Sequence, residues 1–236
     1  MRLPCFVRCQ NFQSRPRPSN AVLARYRFFS RAFKKQFGIS ARQWDRKSPL
    51  KNSNNEQVTV AFPRYTSDDL ADIANHEGFD VRVRSLPLRR VAFIRVCDPF
   101  SSFDSVRDAY YRLVDWYHER GGDIEDTTLF GISQDDPEIT PLHLYRFDWC
   151  LSVPSDWKPE GEVGVKNFPA CRVATIHCVG DIERESRAVQ YLFRYWLARS
   201  RYQPANLPAM EIYRQQPAVL GWETFDIECA LPVIPL

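Results

Sequence analysis

The chain has 236 residues, of which 44% are hydrophobic and 26% charged, a composition typical of a soluble globular protein with one or two domains. No apolar run approaches the roughly 18 residues of a membrane span, and residues 1–10 lack the apolar stretch of a secretion signal. The seven cysteines form no C-x-x-C pair and the four histidines lack metal-ligand spacing. These features predict a cytoplasmic protein with reduced thiols, no metal site and no cofactor.

The small net charge of +3 conceals a strong asymmetry along the chain. Residues 1–50 contain twelve Lys or Arg and a single acid, Asp45, for a net charge of +11, whereas residues 51–236 carry −8. A basic segment joined to an acidic body is typical of a nucleic-acid-facing region attached to a separate domain. We therefore expect two regions with different roles.

Residues 1–20 have no hydrophobic periodicity and are predicted to be a disordered tail. A helical pattern begins at Ala21, with basic residues on one side and aromatic residues on the other, namely Phe29, Phe33 and Phe37. Gly38 fits the position after a helix end, and Ser40 fits the N-cap of a second short helix through Lys47. The pattern at 21–47 predicts part of a helix-turn-helix; the alternative is an ordinary helix pair with a solvated charged face.

Residues 29–44 (FSRAFKKQFGISARQW) resemble the end of the DNA-binding domain of AraC-type transcription regulators. The resemblance covers the second recognition helix and the short helix after it, and it implies DNA contacts by four side chains, those of Ser30, Arg31, Lys34 and Lys35. Residues 1–24 do not resemble the further helices that precede this segment in the family. A lone helix pair buries little apolar surface, so we expect a truncated or degenerate DNA-binding segment with weak, salt-sensitive, non-specific DNA affinity.

Residues 48–76 are predicted to be a linker, because their first ten residues are polar and contain a proline and three asparagines. The remainder, 77–236, looks like one motif written twice, in halves at about 77–155 and 160–236. Arg90-Val-Ala-Phe-Ile94 reappears as Arg172-Val-Ala-Thr-Ile176, and a helical pattern follows each copy.

The first helix of this body is predicted to begin at Ser101 or Ser102 and to stop at Gly121. Its buried stripe is Phe103, Val106, Tyr110, Leu113 and Tyr117. The second is predicted to be capped by Asp181, with Glu183 and Glu185 in its positively polarised first turn. Its buried stripe is Val189, Leu192, Phe193 and Trp196.

Two strand patterns follow each helix, so each half is predicted to be roughly ββαββ. The predicted fold class is α+β, a duplicated antiparallel βαββ-type domain with helices on one face of the sheet and the other face free. A pseudo-twofold pair of this kind has a cleft at its seam, where ligands commonly bind.

The strand at 210–214 carries the candidate site. Side chains of a strand alternate between faces, so Glu211 and Tyr213 share one face while Met210 and Ile212 pack on a core. A carboxylate beside an aromatic ring can receive an organic cation, which makes this face a candidate pocket floor. The alternative interpretation is the solvated face of a half-buried sheet.

Four segments in chain order resemble a GyrI-like effector-binding domain: residues 82–95, 130–141, 145–154 and 210–217. Such domains often follow AraC-type DNA-binding domains. The resemblance implies a tandem βαββ-type fold whose concave sheet binds hydrophobic, often cationic, small molecules, with Glu211 at the family's acidic position and Tyr213 as its neighbouring aromatic. Trp149 stands where the family commonly has a small residue and would narrow the pocket.

The sequence thus predicts an AraC-type regulator that senses a small-molecule effector through Tyr213, Trp149 and Trp222, with Glu211 offsetting the ligand's charge. Desolvation is expected to raise the pKa of Glu211 in the empty cleft. Two alternatives remain: a GyrI-like small-molecule hydrolase with Glu211 as general base, and a gyrase-inhibitor-like protein-binding module. For the hydrolase no second carboxylate is evident, since solvent exposure is favoured for Asp226 and Glu228. No catalytic residue is assigned, and a homodimer is left open.

Overall fold

The computed structural model describes residues 29–35, 40, 42–43, 75, 77–136 and 140–236. The chain divides into two units, residues 1–52 and 53–236. In the first unit, residues 29–35 form a helix in which the four predicted DNA-contacting side chains are exposed: Ser30, Arg31, Lys34 and Lys35. The rings of Phe29 and Phe33 lie 5.7 Å apart on this helix, as their spacing predicts.

Ser40 has the contacts of a helix N-cap. The Oε1 atom of Gln43 accepts hydrogen bonds from the Ser40 backbone N–H at 3.3 Å and from its hydroxyl at 2.8 Å. A side chain that reaches back three residues in this way is typical of a capping box. The helix expected after Ser40, most of the helix-turn-helix at 21–47, the tail 1–20 and, apart from Asn75, the linker 48–76 lie outside the described residues, so these assignments remain predictions.

The second unit is an α+β fold on a curled antiparallel sheet. Helix α1 spans Phe103–His118 and helix α2 spans Ile182–Gln190. Among the described residues the sheet has nine strands: β1 Val81–Leu86, β2 Arg89–Cys97, β3 Leu129–Ser133, β4 Arg146–Ser152, β5 Gly164–Phe168, β6 Cys171–Gly180, β7 Tyr202–Pro204, β8 Met210–Tyr213 and β9 Phe225–Pro235.

The strand order is symmetric about its centre. The order is β1-β6-β9-β8-β3-β4-β2-β5, with β7 paired to the end of β9. Exchange of β1 with β5, β2 with β6, β3 with β8 and β4 with β9 gives the same order read from the opposite end of the sheet. In the chain, α1 lies between β2 and β3, so the first half follows the predicted ββαββ pattern, whereas α2 is followed by three strands, of which β7 is additional. The two central strands are therefore β3 and β8, and β8 is the strand with the candidate site.

Both helices pack on the same face of this sheet. The register places Trp149, Gly131, Glu211 and Cys229 side by side across β4, β3, β8 and β9, so their side chains share a face. Helix α1 covers the β2–β4 end of that face through Tyr110 and Leu113. Helix α2 covers the β6–β9 end through Ala188 and Leu192. The centre of the face, with Glu211, lies between the two helix contacts.

The opposite face is buried rather than free, which corrects the predicted arrangement. Met210 and Ile212 pack there, as expected, but in a cluster that also contains Leu86 from β1 and Phe168 from β5. These two strands are the ends of the sheet, so its curl brings both ends together over this face. Glu211 and Tyr213 accordingly lie on the helix side.

Most of the predicted helix ends are correct. The carboxylate of Asp181 accepts a hydrogen bond from the Arg184 N–H at 2.8 Å, which confirms the N-cap. Ser102 occupies the N-cap position of α1 without a side-chain capping bond. Gly121, at φ 77°, donates to the carbonyl of His118 at 2.8 Å and follows the end of α1.

Two members of the predicted buried stripes are wrong. After α2 the chain continues as a π-helix, Tyr191–Trp196, whose wider turns break the 3.6-residue spacing. Leu192 is therefore buried while Phe193 is 40% exposed. Phe103 begins α1 and is 50% exposed, because its ring lies against Trp222 at 5.8 Å rather than on the sheet.

Candidate functional site

Glu211 lies at the centre of the helix-covered face of the sheet, beside a glycine on the adjacent strand. Gly131 is its direct neighbour on β3. A Cβ atom on Gly131 would overlap the Oε2 atom of Glu211 and come within 2.7 Å of the ring of Phe147. The carboxylate therefore occupies the space that any other residue at 131 would fill, which explains a glycine in the interior of a central strand.

Tyr213 is the nearest hydrogen-bond donor to this carboxylate. Its hydroxyl donates to Oε2 of Glu211 at 2.6 Å, and both side chains are partly exposed. Desolvation, followed by the negative charges of Glu211 and Glu185, holds the pKa of Tyr213 well above its ordinary value. The phenol thus remains a neutral donor, and the predicted pair shares one face.

Glu185 is a member of the site that sequence reasoning missed. The prediction placed it in the first turn of α2 as a partner of the helix dipole, but it is 7% exposed and its carboxyl is hydrogen-bonded to Glu211. Its spacing to Ala188 and Leu192, three and seven residues on, matches the buried stripe of α2. That spacing was a readable signal that Glu185 points toward the sheet.

The carboxyls of Glu185 and Glu211 influence each other's protonation. Desolvation raises the pKa of Glu211, while the hydrogen bonds from Tyr213 and Glu185 act against this rise. The pKa of Glu185 lies well above its usual range, because of desolvation first, and then the charge of Glu211 and the hydrogen bond to it. Two touching carboxyls in a buried place cannot both be ionised. We therefore infer that the pair holds one proton between its two carboxyls.

A pair of thiols lies beside the carboxyls. Cys229 is the β9 neighbour of Glu211, and its thiol is hydrogen-bonded to that of Cys178 on β6. This hydrogen bond, followed by desolvation, holds the pKa of Cys229 well above its ordinary value. The same bond lowers the pKa of Cys178. Cys229 is thus a neutral donor to its neighbour and adds no charge next to Glu211.

The two predicted tryptophans join Tyr213 in one aromatic cluster. Trp149 is 1% exposed, its indole N–H donates to the carbonyl of Val106 at 2.9 Å, and its ring lies 5.2 Å from that of Tyr213. Trp222 is partly exposed and lies 6.3 Å from Trp149 and 5.1 Å from Tyr110. The structure therefore brings together all four predicted ligand contacts, with Trp149 as a backing wall and Trp222 nearer to solvent.

Trp222 has a backbone conformation that bulky residues rarely adopt. Its φ is 67°, and it follows Gly221 at φ 73° in the connection between β8 and β9. A left-handed conformation at an aromatic residue costs energy and is sustained only by its surroundings. Here the edge-on contacts with Tyr110 and Tyr111 hold the indole over α1.

Asp226 and Glu228 lie away from this site, on the opposite face of β9. The imidazole of His177 lies 2.8 Å from the carboxylate of Asp226, and Arg84 forms an ion pair with Glu228. Across the part of the chain that the structure describes, no group of three or more His, Cys, Asp or Glu could hold a metal ion. Within the same residues, no helix has the length and hydropathy needed to cross a membrane.

The raised pKa of Glu185 determines how the stability of the fold should depend on pH. A carboxyl whose pKa is raised in the folded state binds more protons there than in the unfolded chain, so stability falls as pH rises from the unfolded to the folded pKa. In urea unfolding at a series of pH values, we expect the unfolding free energy to fall by up to about 1.4 kcal/mol per pH unit through this range. Glu185→Gln should flatten the slope, and the exposed Glu183→Gln should keep it. A wild-type slope in the Glu185 variant would contradict the shared proton.

Comparison with known proteins agrees with this fold. Residues 79–234 match the model of the GyrI-like small molecule binding domain. The probable transcriptional regulator YgiV of Escherichia coli K12 is 28% identical over 138 residues, which are 57% of this chain and 83% of that protein. The DNA gyrase inhibitor of Escherichia fergusonii is 24% identical over 159 residues, 66% of this chain and 99% of that protein.

A solved structure shares the same fold. The crystal structure of the EcmrR C-terminal domain superposes with a TM-score of 0.51 at 17% sequence identity, covering 67% of this chain and 99% of that one. The four segments that suggested the family all lie within the matched range, 79–234. Through this range, the chain belongs to the GyrI-like small-molecule binding family.

Proposed function

We propose that the protein is a transcription regulator whose GyrI-like domain binds a hydrophobic, cationic small molecule at Glu211. The observation that carries this proposal is the carboxylate of Glu211, desolvated over Gly131 and bordered by the ring of Tyr213. A carboxylate in such surroundings is poorly hydrated and gains more from an organic cation than an exposed carboxylate does.

The aromatic cluster supplies the hydrophobic part of the interaction. A cation over an aromatic ring gains roughly 0.5–2 kcal/mol, and the rings of Tyr213 and Trp222 are both partly exposed. Trp149 is buried behind Tyr213 and fixes the position of that ring. We assign direct ligand contact to Glu211, Tyr213 and Trp222, and a supporting contact to Trp149.

The regulatory part of the proposal rests on the relatives and on the N-terminal segment. A curated relative carries the name probable transcriptional regulator. The described helix at 29–35 exposes Ser30, Arg31, Lys34 and Lys35, the side chains that the AraC-type resemblance assigns to DNA. Basic side chains on one exposed helix are suited to phosphate contacts, and the affinity they provide alone is weak and salt-sensitive.

Glu211→Gln tests the ligand site. We expect the variant to bind tetraphenylphosphonium at least about tenfold more weakly in calorimetry, because the amide removes the charge that offsets the cation. Its affinity for triphenylphosphine oxide, a neutral molecule with the same rings, should change little. Glu228→Gln, on the opposite face of the neighbouring strand, is the matched control. Unchanged cation affinity in the Glu211 variant would exclude this carboxylate as the cation's partner.

A second candidate function is hydrolysis of a reactive small molecule. The observation in its favour is Glu185, which gives Glu211 the neighbouring carboxyl that the sequence did not reveal. An ionised and a neutral carboxyl side by side are suited to act as general base and general acid. Turnover of an electrophilic substrate that disappears in Glu211→Gln would identify an enzyme, whereas binding without turnover identifies a sensor.

A further inference from the structure

The carboxyl next to that of Glu211 belongs to another acid, Glu185. Glu185 projects from α2 and is 7% exposed, and its carboxyl is hydrogen-bonded to Glu211 on β8. The second partner of Glu211 is the hydroxyl of Tyr213, a neutral donor. The positive counterpart of the Glu211 charge in this arrangement is thus the proton that the two carboxyls hold between them.

We propose that a lipophilic cation takes the place of this proton, so that Glu185 becomes a second carboxylate of the ligand site and each cation bound releases a proton to the solvent. This inference rests on the proposed function, because it specifies how the same site accommodates positive charge. It assigns to Glu185 a binding role, in addition to its packing under α2.

The other groups around the pair leave the proton on the carboxyls. Tyr213 on β8 and Tyr145, just before β4, have raised pKa values because of burial and remain neutral. On β9, the thiol of Cys229 is likewise neutral, and it donates to Cys178 on β6. On α2, Arg184 lies toward Cys178, and both Arg184 and Arg187 form ion pairs with Glu77.

The charges of the two carboxyls explain why one proton is released for each cation bound. Without a bound cation, the carboxyls of Glu185 and Glu211 hold one proton between them and together carry one negative charge. When a monocation enters, the second negative charge becomes tolerable because an opposite charge within a few ångströms favours the ionised form. Glu185 then loses its proton to buffer, and the occupied site again carries one net negative charge. Proton and cation compete, so cation affinity should weaken as pH falls.

Calorimetry of the full chain measures this exchange. Tetraphenylphosphonium has no titratable group, so any proton released on binding comes from the protein. Titrations near pH 7 in phosphate and in Tris, whose ionisation enthalpies differ, give the number of protons from the change in apparent binding enthalpy. We expect release of about one proton per cation by the wild type and by Glu183→Gln, and nearly none by Glu185→Gln, whose amide still donates to Glu211.

The outcomes separate the two proposals. Proton release of about one that disappears in Glu185→Gln supports the exchange. Cation binding with no proton release by the wild type overturns it and leaves the proposed function intact. Release that persists in Glu185→Gln also overturns it, since another group then titrates. Absence of any binding to the folded wild type refutes the proposed function itself.

Discussion

Replacement of Trp149 by alanine is expected to lower the free energy of unfolding by about 3–5 kcal/mol, the largest effect of any single change considered for this protein. The indole is 1% exposed, and its N–H bond to the Val106 carbonyl would be lost with it. Its ring also contacts those of Phe147, Tyr110 and Tyr213. A cavity would remain, and the Val106 carbonyl inside helix α1 would lose its side-chain donor.

Trp222→Ala is the matched comparison for this change. Trp222 belongs to the same aromatic cluster, but it is partly exposed and has a left-handed backbone. We expect a smaller loss of stability than at Trp149, together with weaker binding of tetraphenylphosphonium through the lost cation–π contact. Urea unfolding and calorimetry on both variants measure the two effects. A Trp149 variant as stable as the wild type would contradict the packing role assigned to this indole.

The orientation of the side chains on β8 could be predicted from local sequence, because alternation along a strand is a property of the strand alone. Glu211 and Tyr213 share a face, and Met210 and Ile212 share the other, as expected. Asp181 was predictable as a cap for the same reason, since an N-cap depends on a few neighbouring residues. The family was predictable from four short segments, which are distributed between residues 82 and 217 of the matched range.

The residues that surround Glu211 could be identified only from the tertiary structure. The sequence does not show that the sheet curls so that Leu86 and Phe168 join one buried cluster on its opposite face, and that face was therefore expected to be free. Glu185 was assigned to the helix dipole because a position in the first turn has a sufficient local explanation. Its contact with Glu211 depends on how α2 lies on β6 and β9, and spacing alone fixes only the helix face on which it lies.

The symmetric strand order places the proposed site at β3 and β8. These strands meet at the centre of the sheet, between the strands on which α1 and α2 pack. Gly131 leaves space next to Glu211, because it has no side chain. The carboxyl pair of Glu185 and Glu211 is thus accommodated at the centre of the sheet, where Gly131 contributes no side chain.

Gly131→Ala should therefore cost both stability and binding. The added methyl would overlap the carboxylate of Glu211 and crowd Phe147, and overpacking of this kind costs about 1–3 kcal/mol. We also expect at least about a tenfold loss of tetraphenylphosphonium affinity, since the displaced carboxylate loses its position relative to Tyr213.

Gly164→Ala is a control for overpacking alone. Its methyl would come within 2.5 Å of the ring of Phe93, on the face opposite to the site, so a comparable loss of stability should leave cation affinity unchanged. Urea unfolding and calorimetry on the two variants compare these effects directly. If both glycine variants lost affinity equally, binding would depend on the stability of the whole domain. If only the Gly131 variant lost cation affinity, the ligand site would require the space that Gly131 leaves next to Glu211.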